Sequence, residues 1–210
     1  MKINGLLLAT LLATSAVAVE EVNVTKESNT SEEVVSIDVN ATQQSALMDE
    51  GVKYIKMLGG ALKHELQKQM KLDASGLAGL NFCAARANEI TVNVNSKLPS
   101  HASVRRTSIR PRNKAVNTPD ENDIRIMEEF QATADNNTST DKDFRMVEDG
   151  NITRVYKALY TKPVCLKCHG ENVSKRLLHE ISTFYPEDNA TGFTLGSVRG
   201  VIVAEINTTK

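Results

Sequence analysis

Five consecutive residues constrain this chain more than any others: Cys165-Leu166-Lys167-Cys168-His169. C-x-x-C-H is the attachment signature of c-type haem. Two thiols three positions apart reach the two vinyl groups on adjacent edges of one porphyrin. The residue that follows then offers an imidazole nitrogen to the iron. Two other chemistries use a C-x-x-C pair. A zinc site wants two further Cys or His at short spacing, whereas the remaining candidates, Cys83, His64, His101 and His179, are scattered. A thioredoxin-like dithiol wants a βαβ context and does not need the histidine. The motif therefore predicts one covalently bound haem c at Cys165 and Cys168, with His169 on the metal.

The start of the chain says where such chemistry is assembled. Lys2 supplies a positive n-region, residues 5–13 an apolar core, and Ala16-Val17-Ala18 an A-x-A cleavage site. Residues 1–18 thus read as a secretory signal peptide, and the mature chain is expected to begin near Val19 in the periplasm of a bacterium. No apolar run reaches the length of a membrane-spanning helix, so no span is expected after cleavage. Residues 19–50 hold eight acidic residues against Lys26 alone, whereas 51–210 carry a net charge of +5. Residues 19–41 read as a flexible acidic spacer ahead of one folded domain, 42–210. The formal net charge of −1 gives no case for nucleic acid as a partner. With no Trp and few Phe or Tyr, an aromatic-rich binding face is not expected either.

Within 42–210 the hydrophobic spacing predicts a helix from about Thr42 to Lys71, weakened at Gly59-Gly60. A second helix, capped by Asp73 or Ser75, is expected to run to about Val94, and a third from Pro119 to Thr133. Residues 101–119 are basic and rich in turn formers. Phe144–Val147 and Ile152–Tyr160 flank Glu148-Asp149-Gly150-Asn151, a β-hairpin pattern. Residues 173–184 read as helix, and Ser197–Ile206 as the clearest strand. The class is α+β, helices first and then a small antiparallel sheet.

Cys83 is the cysteine left over once two are assigned to the motif. Leu80, Ala87 and Ile90 share its helical face, so it points to the apolar side. From spacing alone it is either a buried structural thiol or a second iron ligand. Met57, Met70, His64 and His101 are the rivals for that position. Arg105, Arg106, Arg110, Arg112 and Lys114 form a basic run that suits haem propionates, a partner's carboxylate, or simply solvent.

Three blocks carry a resemblance to a known family: residues 156–170 around the motif, residues 185–200, and residues 106–113 with Asn117, Pro119 and Asp120. They resemble a bacterial c-type haem domain catalogued as a domain of unknown function. It occurs in a soluble cyanobacterial cytochrome and at the front of some sensor proteins. The resemblance spans roughly residues 45–206. It implies a PAS-like antiparallel sheet with long N-terminal helices packed against it. It also implies His/Cys ligation, with Cys83 as the second ligand, and it includes Arg106 and Arg112 in the family motif. Two departures stand out. Asn113-Lys114 replaces the usual Asn-Pro in a segment one residue longer, and Ala84 replaces the Asn that usually follows the cysteine.

Asn-x-Ser/Thr triplets are the second signal. Asn23, Asn29, Asn40, Asn137, Asn151 and Asn207 each have Asp or Glu two residues earlier, which resembles the acceptor of some bacterial oligosaccharyltransferases. Asn189 has the same pattern but lies inside a family block. The function expected overall is a periplasmic monohaem electron carrier or a redox or gas sensor. Either role needs a separate redox or signalling partner protein. The alternative is a non-catalytic sensory ligand-binding module. Catalysis such as a peroxidase reaction would need an open iron face with a distal acid or base, and no residue in the sequence identifies one.

Overall fold

The computed structural model describes residues 31–140 and 142–209, with side chains from residue 40 onward. The expected signal peptide, most of the spacer, Asn23 and Asn29 lie outside the described residues. The chain divides into two units, residues 1–38 and 39–210, and the fold below is that of the second.

The sheet has four antiparallel strands: β1 (Ala102–Thr107), β2 (Phe144–Asp149), β3 (Ile152–Tyr160) and β4 (Val198–Asn207). Their order is β1-β4-β3-β2. β4, the clearest strand of the sequence, is interior, and alternate residues serve opposite faces. Ile202, Ala204 and Ile206 join the core beneath α1 (Ser31–Leu72), with Tyr54, Ile55, Leu58, Val104 and Val155. Val201 and Val203 join the core beneath α5 (Glu121–Asp135), with Ile126, Met127, Phe130 and Tyr156. The result is three layers, helix–sheet–helix. Leu58 and Phe130 are fully buried, each contributing roughly 1.5–3 kcal/mol of transfer free energy.

The expected α+β class is the architecture found, with three local differences. α1 begins at Ser31, so residues 31–41, read as spacer, are helical. No Gly or Pro interrupts that stretch. The second helix is two, α2 (Leu77–Ala85) and α3 (Ala87–Asn95), divided at Arg86 with φ −115°. The basic stretch 101–119 contains β1 and a one-turn α4 (Lys114–Asn117) rather than turns alone.

The other expected elements lie close to their read positions. A capping box starts α5: the Asp120 side chain accepts from Asp123 N–H and the Asp123 side chain accepts from Asp120 N–H. The hairpin turns at Gly150, φ 59°. α7 (Lys175–Phe184) is capped by Ser174. It packs on α2 through a third small core of Leu80, Leu177 and Ile181, which also meets Cys168.

Candidate cofactor-binding site

The motif is one turn of helix, α6 (Leu166–His169), following β3 by a short connection. The carbonyl of Cys165 accepts from His169 N–H at 2.9 Å and from Cys168 N–H at 3.2 Å. This sets the two thiols and the imidazole on one tight turn. Gly170 closes it, because a Cβ there would meet the Leu166 carbonyl oxygen at 2.5 Å.

Residues 188–193 clamp this turn. Gly192 N–H donates to Gly170 O and Phe193 N–H to His169 O, both at 2.9 Å. Arg112 locks the clamp from a third segment. It pairs with Asp188 at 3.1 Å, and its Nη2 donates to Cys168 O at 2.7 Å and Ala190 O at 3.2 Å. Arg110 adds donations to Asn189 O and Thr191 O and stacks on Phe193, 4.4 Å from the ring centroid. The three sequence blocks, far apart in the chain, thus meet at one place.

His169 shows how the clamp prepares a ligand. Its Nδ1 lies 2.7 Å from Ala190 O, a pure acceptor, so Nδ1 carries the proton and donates. Nε2 then keeps its lone pair for a metal, the tautomer that ligating histidines use. Burial holds the imidazole well below its ordinary pKa of 6.5, with Arg199 and Arg112 adding to the effect.

Cys83 lies on α2, one turn beyond Leu80 of the third core. Its thiolate would sit close enough to disfavour ionisation of Cys168. Burial pushes the Cys83 thiol up, against the opposing charges of Arg106, Arg199 and Arg112. Cys168 is likewise raised, chiefly by burial. The three cysteines are free thiols. α2 is itself anchored by Asp73, whose carboxylate accepts from Ser75 N–H at 2.8 Å and Ala78 N–H at 3.0 Å.

Arg106 and Arg112, singled out from the sequence, both come to this region, and Arg199 joins them. Burial pulls the Arg106 guanidinium below its ordinary value, while Cys83 favours its charge and Arg199 opposes it. The Nε atoms of Arg106 and Arg199 are buried without a hydrogen-bond partner among the described residues. Buried guanidinium groups in that state call for an anion. Arg105 is used differently. It pairs with the fully buried Asp123 at 2.8 Å and with Glu205 at 3.1 Å, tying α5 to the sheet. Lys114 pairs with Glu187 at the surface.

The rival ligands are elsewhere or otherwise engaged. Met57 packs against the α1 core. His101 bonds Glu50 at 3.0 Å. His64 and His179 are exposed. Met70 packs against Gly79 of α2. Among the described residues no group of three or more His, Cys, Asp or Glu converges to cage a bare metal ion. No helix among them is long and apolar enough to cross a membrane.

Arg199 is the residue that sequence reading passed over. It sits at the start of an apolar strand, where a lone arginine reads as solvent-facing. The available signal was its position in the Tyr185–Gly200 block. Ser108 reinforces the placement by donating from Oγ to Arg199 O at 2.7 Å.

A family model described as Tll0287-like: Tll0287 matches residues 9–207. The crystal structure of the cyanobacterial heme-protein Tll0287 is similar at 19% sequence identity with a TM-score of 0.47. The match covers 85% of this chain and 98% of that one. No curated protein matches the chain.

Proposed function

The chain belongs to the Tll0287-like family, and we propose that it is an exported monohaem c-type protein of the periplasm that carries electrons to or from a separate partner protein. Cys165 and Cys168 would hold the haem through thioethers, His169 Nε2 and the Cys83 sulfur would bind its iron, and Arg106, Arg112 and Arg199 would pair with its carboxylates. When bound, the haem supplies a one-electron ferric/ferrous couple.

The observation that carries this reading is that the clamped C-x-x-C-H turn, with the helix of Cys83 beside it, lies in one region with two arginines whose buried Nε atoms have no partner among the described residues. Each part fits haem for a separate reason. Cys168 borders the apolar surface of Leu80, Leu177 and Ile181, which a porphyrin face needs. The His169 tautomer presents a lone pair. The orphaned Nε atoms of Arg106 and Arg199 match a group bearing two carboxylates. A cysteine sulfur opposite histidine favours the ferric state, so a low reduction potential follows. If His169 and Cys83 both bound the iron, no open position would remain for a substrate, which favours electron transfer over turnover.

A sensing role is the second reading, and one feature favours it. Cys83 sits on a nine-residue helix separated from α3 at Arg86, so α2 is a short unit whose position would respond if Cys83 exchanged its partner.

Spectra of the purified protein in both oxidation states, with and without carbon monoxide, separate these roles. Indifference to carbon monoxide with reversible redox supports electron transfer, whereas fast binding supports sensing. Cys83→Ser tests the ligand. It should turn the ferric spectrum toward high-spin or water-ligated iron and raise the potential. An unchanged spectrum and potential would reduce Cys83 to a packing thiol and bring Met70 forward.

A further inference from the structure

Nine Asn-x-Ser/Thr triplets occur in the chain, and seven have Asp or Glu two residues before the Asn. Asp and Glu make up 26 of 210 residues, so about one triplet in nine would carry an acid there by composition alone. The excess ties the acid to the triplet. Five of the seven lie among the described residues, and Asn40, Asn137, Asn151, Asn189 and Asn207 are all exposed. Asparagines that bridge separate elements through their side chains lie outside the triplets. Asn95, for example, bonds both the N–H and the carbonyl of Val104.

An exposed asparagine is not sufficient. A transferase that reads acid, asparagine and hydroxyl together reaches them where the asparagine lies on an irregular segment and neither flanking residue is buried or held in an ion pair. Asn40 is inside α1. Thr153, the hydroxyl partner of Asn151, is buried in β3. Asn189 is pinned through its carbonyl by Arg110. Glu205, the acid before Asn207, is engaged by Arg105 and Arg154. Asn137 differs on every count. It lies in the connection between α5 and β2, exposed, with φ 56°. Asp135 before it is exposed and held only by a surface bond from Gln131. Ser139 after it is half-buried in the same connection.

We propose that Asn137 is an N-glycosylation site of the folded protein, and that Asn151 and Asn207 are acceptors only before the sheet forms. The co-reactant is an oligosaccharide linked to a lipid through pyrophosphate, presented by an oligosaccharyltransferase. A bond forms between Asn137 Nδ2 and the anomeric carbon of the first sugar. The anomeric C–O bond to the pyrophosphate breaks, and the lipid pyrophosphate leaves with the electron pair. The amide proton passes to a base of the transferase, and nothing is oxidised or reduced. This inference rests on export of the chain and is independent of the haem reading.

The test uses the full chain purified from cells that lack such a transferase. The folded protein is incubated with a bacterial oligosaccharyltransferase and a lipid-pyrophosphate oligosaccharide, and glycopeptides are read by mass spectrometry. A short acidic-triplet peptide in the same reaction serves as the positive control. The expected result, among the described residues, is one glycan, at Asn137. Asn137→Gln should abolish it and Asp135→Ala should lower occupancy at least tenfold. The same chain unfolded in urea and diluted into the reaction should also be modified at Asn151 and Asn207. A bare folded chain beside a modified control peptide would overturn the proposal. So would full occupancy in Asp135→Ala, or glycans on Asn151 or Asn207 of the folded chain.

Discussion

Gly51 and Gly60 occupy the same helix, and the structure assigns opposite signs to replacing each with alanine. Helix propensity alone favours both changes by about 1 kcal/mol. At Gly60 a new Cβ would meet nothing within 4 Å, so Gly60→Ala should gain that amount. At Gly51 the same Cβ would lie 2.4 Å from Cγ2 and 2.6 Å from Cβ of Val155. Ordinary carbon contacts lie at about 3.5–4.0 Å, so the shortfall exceeds an ångström. No rotamer relieves it, because Val155 Cβ is fixed to β3 and Val155 is fully buried. Either α1 lifts or the strand bends, and overpacking of this kind costs about 1–3 kcal/mol. The net expectation for Gly51→Ala is a loss of about 0–2 kcal/mol, and the gap between the two variants equals the overpacking cost, about 1–3 kcal/mol. Urea unfolding of both variants beside the parent, compared at equal slope, measures the gap. A Gly51→Ala protein stabilised as much as Gly60→Ala would refute the packing of α1 on β3.

Removing the Arg112 side chain strands Asp188 and two carbonyls in a nearly buried site. Arg112→Ala should therefore cost about 3 kcal/mol in chemical unfolding, and Arg112→Lys, which lacks the fork, should recover less than half. A loss under about 1 kcal/mol would show that the clamp does not hold the motif turn. Asp73 is held down to about 2 by hydrogen bonds from Ser75 and Ala78. Its anchoring of α2 is present above the ordinary value of 3.8 and is lost as pH falls through about 2. Hydrogen exchange should show α2 loosening in acid in the parent and already loose at neutral pH in Asp73→Ala; equal protection in both would contradict the anchor. All four tyrosines are raised, chiefly by burial, Tyr54 and Tyr156 to about 12. The folded state then binds more protons than the unfolded one above pH 10, so stability falls as pH rises from about 10 toward 12. Phenolate absorbance should appear together with unfolding, and a tyrosine titrating near 10 in the folded chain would contradict its burial.

Much of this architecture is legible in single residues of the sequence, and the exceptions have identifiable causes. β4 is a continuous apolar run from Val201 to Ala204 because both its faces are covered, and that run is visible without a structure. The hairpin is visible because Gly150 must take a positive φ. β1 is hidden because Arg105 and Arg106 occupy its middle. The charge of Arg105 is answered from a distance by Asp123 and Glu205, and the buried Nε of Arg106 has no partner among the described residues. A strand with two central arginines reads as a basic loop. The break at Arg86 involves no Gly or Pro, so tertiary packing of α2 on α7 decides it. At the site, the C-x-x-C-H turn is readable locally. The tautomer of His169 depends on Ala190, and the approach of Cys83 to Cys168 depends on α2 meeting α7. Only the fold supplies those long-range contacts.

Covalent attachment is the point at which the account stands or falls. The full chain, exported in cells competent for cytochrome c maturation, should keep a haem stain through denaturing electrophoresis. Replacing Cys165 and Cys168 together with alanine should abolish it. A stain that persists in the double variant, or a parent chain that never acquires one in those cells, would contradict the central claim.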